Sequence, residues 1–280
     1  MPAINSITID KLARLIGTAR SPAIIDIRDD AHWAIDPYYI PGAQRRSAAA
    51  PAAWAGDFAA RTAVIVCEDG GASNHGVAAW LLQAGVPAEP LEGGFDGWKA
   101  AGLPTIADAA VPPRDATGRT LWVTRARPKV DRFACPWLIR RFIDPAALFL
   151  FGSAPEVPGV AQNMGATPFD VEGEGAEWNH RGERCTFDVM VEEFGLAGHE
   201  PLTRLATIVR GADTGHADLA PEAAELLAIS PGLSRIYGDD LEQLDAGLQV
   251  YGALYRWCRD AIGETHSWTS HVPTKVRERV

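Results

Sequence analysis

The sequence predicts an α/β domain followed by a helix-rich α+β domain. Three observations carry this. Before residue 108, short apolar runs alternate with amphipathic stretches, the rhythm of strands feeding helices. Residues 108–120 read DAAVPPRDATGRT, with paired prolines, a glycine and no apolar periodicity, which suits a linker. Beyond it, two strand-like runs enclose one helical stretch, and the remainder is mostly helical in pattern. At 280 residues, and roughly 150 per domain, the length accommodates two compact units with a core each. The expected divisions are 1–107, the linker 108–120, 121–262 and a polar tail over 263–280 that lacks an apolar stripe.

Residues 23–27 (AIIDI) and 63–67 (AVIVC) are rich in β-branched side chains and read as buried strands. The second runs through a short polar loop into residues 73–84 (SNHGVAAWLLQA), read as a helix. The glycine-rich run 92–97 has no phosphate-binding helix pattern after it, so its glycines are assigned to tight turns and close packing. After the linker come a strand at 121–125 (LWVTR), a helix at 132–143 and a strand at 148–151 (LFLF). The longest helix is expected at 239–262. There Leu241, Leu244, Leu248, Tyr251, Tyr255, Cys258 and Ile262 recur at alternating steps of four and three, which predicts one buried face.

Composition narrows the function. Twenty-six Lys and Arg against 36 Asp and Glu leave a formal charge of −10, which argues against a general nucleic-acid or anionic-membrane binder. Hydrophobic residues at 47% and charged residues at 22% match globular chains, not disordered ones. No run approaches the ~18 apolar residues of a membrane span, and the first residues lack a secretory pattern, so a cytoplasmic location is expected. The four cysteines form no C-x-x-C pair and are read as free thiols.

Cys67 stands at the end of a predicted buried strand. The loop Glu68, Asp69, Gly70, Gly71, Ala72 and Ser73 follows, opening a helix. Backbone N–H groups of such a loop, with the helix N-terminus, favour a thiolate. The plain alternative is a small apolar residue at a strand end.

The residues around it resemble the rhodanese (sulfurtransferase) family over nearly all of residues 1–107. Ile25-Asp26-Ile27-Arg28 is similar to its early D-x-R strand end, and Tyr39-Ile40-Pro41-Gly42-Ala43 to its H-I-P-G-A turn. Leu91-Glu92-Gly93-Gly94-Phe95, Trp98 and Ala101-Gly102-Leu103-Pro104 are similar to its closing motif. The resemblance implies a central parallel sheet flanked by helices, Cys67 as sulfur-accepting nucleophile, and residues 68–73 as its substrate-binding loop. Family members that use thiosulfate commonly carry a basic residue in this loop, often an arginine where Ala72 stands. Here Glu68 and Asp69 should repel a dianionic donor and raise the thiol pKa. The expected partner is a small sulfur donor or a persulfide carrier. His75, in the first turn of the helix, could offset the acids or simply be solvated.

Between residues 119 and 141 seven basic residues face one acid. Arginine forks bind oxyanions, so Arg132, Arg140 and Arg141 are candidate oxyanion contacts. The competing reading is a solvated face paired with acids elsewhere. The segment DRFACPWLIRRFID (131–144) resembles the C-terminal domain of the chromate-resistance protein B family. Pro168-Phe169-Asp170, His180 with Cys185-Thr186-Phe187-Asp188, Ile208-Val209-Arg210-Gly211-Ala212-Asp213 and the Asp245, Tyr251, Leu254, Tyr255 helix continue the match over roughly 121–262. Regulatory members of that family carry a different N-terminal region linked to DNA binding, whereas here a rhodanese-like segment occupies that place.

Within this half Asp131, His180, Cys185, Asp188, Asp213 and Asp245 are ligand types suited to a divalent metal (Mn, Fe or Zn), with Asp131, His180 and Asp213 the chosen set. His180 is favoured because WNHRG reads as a hairpin tip. His199 and His216 read as surface residues, and His266 and His271 as tail residues. No other cofactor is expected, and oligomeric state is left open. The leading reading is a sulfurtransferase on Cys67 coupled to an oxyanion- or metal-binding domain. The alternatives are a non-catalytic chromate or redox sensor and a metal-dependent enzyme seated in the second half.

Overall fold

The computed structural model describes residues 5–171 and 177–264. The first part runs α1 (Ile9–Leu15), β1 (Ala23–Asp26), α2 (Asp30–Ile35), β2 (Tyr38–Tyr39), β3 (Ala43–Arg45), β4 (Ala63–Val66), α3 (Ala72–Gln83), β5 (Ala88–Pro90), α4 (Gly94–Ala100) and β6 (Ile106–Ala107). Four strands form a parallel sheet in the order β3-β1-β4-β5, with Ile24 registered against Ala43 and Val64. Two-residue periodicity sorts its faces. Ile24, Val64 and Val66 enter the largest apolar cluster, whereas Ala23, Ile25, Ile27, Ala63, Ile65 and Cys67 enter a second one with Trp54, Phe58, Val77 and Leu81.

The second part runs β7 (Leu121–Arg125), α5 (Asp131–Leu138), β8 (Leu148–Gly152), α6 (Val157–Met164), β9 (Thr167–Pro168), α7 (Thr186–Glu193), α8 (Glu200–Thr214), α9 (Glu222–Ile236) and α10 (Asp240–Asp260). Its parallel sheet has the order β8-β7-β9, and the helices pack beyond it, giving the helix-rich α+β half. The helix expected over 132–143 is α-helical only to Leu138. It continues as a π turn, Ile139–Ile143, in which the Asp144 N–H donates to the Ile139 carbonyl at 2.8 Å.

The expectation of a separate core for each half is corrected. One cluster runs from Ile7, Leu12, Phe95 and Trp98 through to Trp137, Phe142, Tyr251 and Tyr255. The reason is the close approach at Gly17 (φ +78°), where an added Cβ would lie 2.6 Å from the Phe142 ring and 2.8 Å from Tyr255. The Gly42 N–H also donates to the Phe142 carbonyl at 2.6 Å, and Arg141 reaches the Thr18 carbonyl at 3.2 Å. The 108–120 segment is pinned too. Tyr39 donates to Asp108 at 2.8 Å, and Arg114 lies 3.3 Å from the buried Asp144.

On α10 the apolar stripe is buried at Leu244, Leu248, Tyr251, Tyr255 and Cys258, but Leu241 is 52% exposed and Ile262 49% exposed. Ile262 lies beyond the last residue of α10, and at the first turn Gln243, not Leu241, is the buried side chain. The expected tail lies outside the described residues beyond 264, as do His266 and His271.

Candidate functional site

Cys67 follows β4 directly, buried on the face shared with Ile65. The chain turns at Gly70 (φ +74°), and α3 begins at Ala72, so the helix N-terminus faces the sulfur. The Gly70, Gly71 and Asn74 N–H groups favour the Cys67 thiolate, but burial outweighs them and the thiol is pushed up. Asp69 adds to the rise through a 3.5 Å contact from Sγ to its Oδ1. Burial, rather than the two loop acids, is therefore the main opposing force. The Glu68 carboxyl is itself raised, by partial burial first and by Asp96 next.

The Asp69 Oδ1 also accepts the Gly71 N–H at 2.8 Å, which shapes the loop. Gly70 packs on the backbone of Gly93 and Gly94, the close packing expected of the glycine run. Asn74 is buried and donates to the Leu91 carbonyl at 3.2 Å, tying α3 to the β5 end. Ala72, Ser73 and His75 are exposed.

His32, Arg45, Arg46 and Ser47, which sequence reasoning did not single out, stand near this edge with Arg28 of the D-x-R motif. The His32 imidazole is raised by Asp29 first and more weakly by Glu68 and Asp69. At the same carboxyl edge of the sheet, Arg28, Arg45, Arg46 and Ser47 line a cleft of about 430 Å³. Arg28 is held in a buried pair with Asp26 at 2.6 Å, and Arg45 contacts Asp30 at 2.8 Å.

The second site lies where four segments meet. Asp131 is the first residue of α5, Asp170 follows β9, His180 stands just before the turn at Gly182–Glu183 that the Arg181–Arg184 bridge closes rather than at its tip, and Asp213 lies in the last turn of α8. His180 Nε2 is 3.5 Å from Asp131 Oδ2, 3.6 Å from Asp170 Oδ1 and 3.1 Å from Asp213 Oδ2. The imidazole is pushed up to about 12 by its contacts with Asp131, Asp170 and Asp213. Burial pushes the Asp131 carboxyl up, with His180 opposing.

The backbone before Asp131 is held in a conformation a β-branched residue rarely adopts, Val130 at φ +25°. Buried hydrogen bonds hold it there: the Val130 N–H donates to Ser230 at 3.0 Å, and the Tyr251 hydroxyl donates to the Val130 carbonyl at 2.8 Å. The Thr186 N–H donates to Asp131 Oδ2 at 2.6 Å, and the Thr186 hydroxyl to Asp170 Oδ1 at 3.2 Å.

The structure thus brings Asp131, His180 and Asp213 together and adds Asp170. The signal for Asp170 was present in the Pro168-Phe169-Asp170 motif, but no spacing rule joins it to His180 across a loop. Three other ligand types go elsewhere. Cys185 is the buried N-cap of α7, with its thiol driven far up by burial. Asp188 pairs with Arg210 at 3.1 Å, and Asp245 with Arg140 at 3.4 Å on the surface.

The oxyanion trio is corrected as well, because its guanidiniums have separate partners. Arg132 sits 3.2 Å from Asp170 and donates to the Arg125 and Ala126 carbonyls, Arg140 stacks on Phe149, and Arg141 binds Thr18. Arg181, Arg184, Arg210 and His216, with Glu183, line a cavity of about 780 Å³ next in sequence to His180 and Asp213, and these arginines too are paired, with Glu193, Glu192 and Asp188. His199 is not a plain surface residue, since it sits 2.9 Å from the Tyr255 hydroxyl beside Phe142.

A parallel sheet with a cysteine cradled at a strand end defines the first part as a rhodanese-like domain, and residues 8–101 match the family described as Rhodanese-like domain. Residues 122–258 match the family described as ChrB, C-terminal domain, so the chain joins these two domains. It is 36% identical over 151 residues to Protein ChrB of Cupriavidus metallidurans, covering 52% of this chain and 43% of that protein. The chain thus spans less than half the length of this relative. A crystal structure of a Staphylococcus saprophyticus protein is 34% identical over 34% of this chain and 92% of its own, with a TM-score of 0.30. That of a rhodanese-like domain protein from Staphylococcus aureus is 28% identical over 34% and 90%, with a TM-score of 0.31. Among the described residues no helix is long and apolar enough to cross a membrane.

Proposed function

We propose that the rhodanese-like half is a sulfurtransferase that carries sulfur as a persulfide on Cys67, working beside a ChrB-type domain that binds an oxyanion or a metal ion. The observation that carries this is the placement of Cys67 at the end of β4, where the chain turns at Gly70 and α3 opens at Ala72. In the reaction the Cys67 thiolate attacks the outer sulfur of a donor R–S–SH. The S–S bond of the donor breaks, R–S⁻ leaves, and Cys67–S–SH forms. An acceptor thiolate then takes the outer sulfur and returns Cys67 as thiolate. The N–H groups hold the negative charge before and after each transfer.

Asp69 and Glu68 beside the sulfur disfavour a dianion such as thiosulfate, so a persulfide R–S–SH is the favoured donor. A reducing cytoplasm suits a chain whose four cysteines are all unpaired.

The test is intact mass after exposing the reduced protein and its Cys67→Ser variant to polysulfide and, separately, to thiosulfate. Wild type is expected to gain one sulfur from polysulfide and little from thiosulfate, and the variant none. No gain from either donor in folded protein, or equal gain in the variant, overturns the proposal. It would leave the second reading, a redox or chromate sensor, which the raised thiol and the Asp69 contact favour.

A further inference from the structure

We infer that Asp131, Asp170 and His180 form a binding site for one divalent first-row transition-metal ion, with Asp213 completing its acidic rim. The site is independent of Cys67.

The first argument is geometric. One imidazole nitrogen lies 3.1 to 3.6 Å from three separate carboxylates. A single N–H can serve one acceptor well, so two of these contacts are not explained by hydrogen bonding. They match the distance between neighbouring ligand atoms around an ion, about 3.4 Å for a tetrahedron with bonds of ~2.1 Å. One ligand atom each from Asp131, Asp170 and His180 lies within 4.8 Å of the others.

The second argument is an orphaned atom. The Asp131 side chain is completely buried, and its Oδ1 has no hydrogen-bond partner. A buried carboxylate oxygen without a partner is unfavourable, and a bound cation would relieve it. Around the carboxylates stand the groups that orient ligands. The Thr186 N–H and hydroxyl fix Asp131 and Asp170, and Arg125 and Arg132 approach the far oxygen of Asp170 at 3.3 and 3.2 Å.

Ligand chemistry sets the class of ion. Carboxylates with one imidazole suit Mn(II), Fe(II) or Zn(II). Among the described residues the cluster holds no cysteine sulfur, the soft ligand that copper(I) would select. The His180 side chain is 37% exposed, which leaves an entry path and open coordination positions beside the arginine-lined cavity.

The competing account is a protonated imidazole shared among three acids. Both are tested with the full chain, stripped by a chelator and titrated with MnCl2, reading free Mn(II) by electron paramagnetic resonance. A thermal shift with ZnCl2 runs in parallel, with MgCl2 for comparison. One Mn(II) per chain is expected, with a rise in melting temperature on zinc. His180→Ala and Asp170→Asn should each weaken binding at least tenfold, while Asp245→Asn leaves it unchanged. If Asp170→Asn does not fold, the His180→Ala result decides alone. No saturable binding of Mn(II) or Zn(II) up to millimolar, or equal affinity in the His180→Ala variant, overturns the site.

Discussion

The sulfur of Cys67 lies 3.5 Å from Oδ1 of Asp69, the same oxygen that accepts the Gly71 N–H at 2.8 Å. One carboxylate therefore shapes the loop that favours a thiolate and also opposes that thiolate by accepting the thiol's hydrogen bond. Asp69→Asn keeps a carbonyl acceptor for Gly71 and removes the charge. Its alkylation by iodoacetamide at pH 7 should rise about 3- to 10-fold. Burial raises the wild-type thiol, so its rate should still be climbing above pH 9, and the variant's profile should move to lower pH. A rate unchanged or reduced in Asp69→Asn would remove Asp69 from the control of this thiol.

Gly94 has φ +56°, and an added Cβ would stand 2.5 Å from the Glu68 carbonyl and 2.6 Å from that of Cys67. The obstruction is backbone, which cannot rotate away as a side chain can. Gly94→Ala is expected to cost about 3 kcal/mol or more and to abolish sulfur loading by deforming the Cys67 loop. Melting temperature and intact mass read the two effects, and a variant of wild-type stability would refute the close approach.

At the joint between the halves, Gly17→Ala combines a left-handed backbone with contact against the Phe142 and Tyr255 rings. A loss of about 2–4 kcal/mol is expected. Because the largest apolar cluster spans both halves, the chain should melt in one calorimetric transition that shifts as a whole. Two transitions, of which only one moves, would show that the shared core does not couple the halves.

The His199 imidazole is lowered by burial first and by Arg259 second. The unfolded chain then binds this proton more readily than the folded one. Stability should be full above pH 6.5 and decline as pH falls from there through the folded value. His199→Gln, still able to meet the Tyr255 hydroxyl, should flatten that decline in denaturant melts at pH 7 and pH 5. An equal decline in the variant would assign the acid sensitivity to other groups.

Local pattern carried the strand-to-helix rhythm, because buried strands and amphipathic helices write their periods into adjacent residues. The strand at Leu121–Arg125 coincides with its expected bounds, and Cys67 with its glycine loop stands where the alternation put it. Asp131, His180 and Asp213 could be chosen by residue type within a resemblance. Their meeting point could not, since it joins a helix start, a loop and the last turn of a helix over some 80 residues of chain.

By itself, then, the sequence determined two kinds of half, a cysteine at a strand end and the acids and imidazole of the second. Only the tertiary structure decided that the halves share a core, that Asp170 joins the cluster, and that Arg132, Arg140 and Arg141 are held by separate partners. The physical reason is range: secondary-structure periods act over a few residues, whereas burial and ion pairing depend on which distant segments fold against one another.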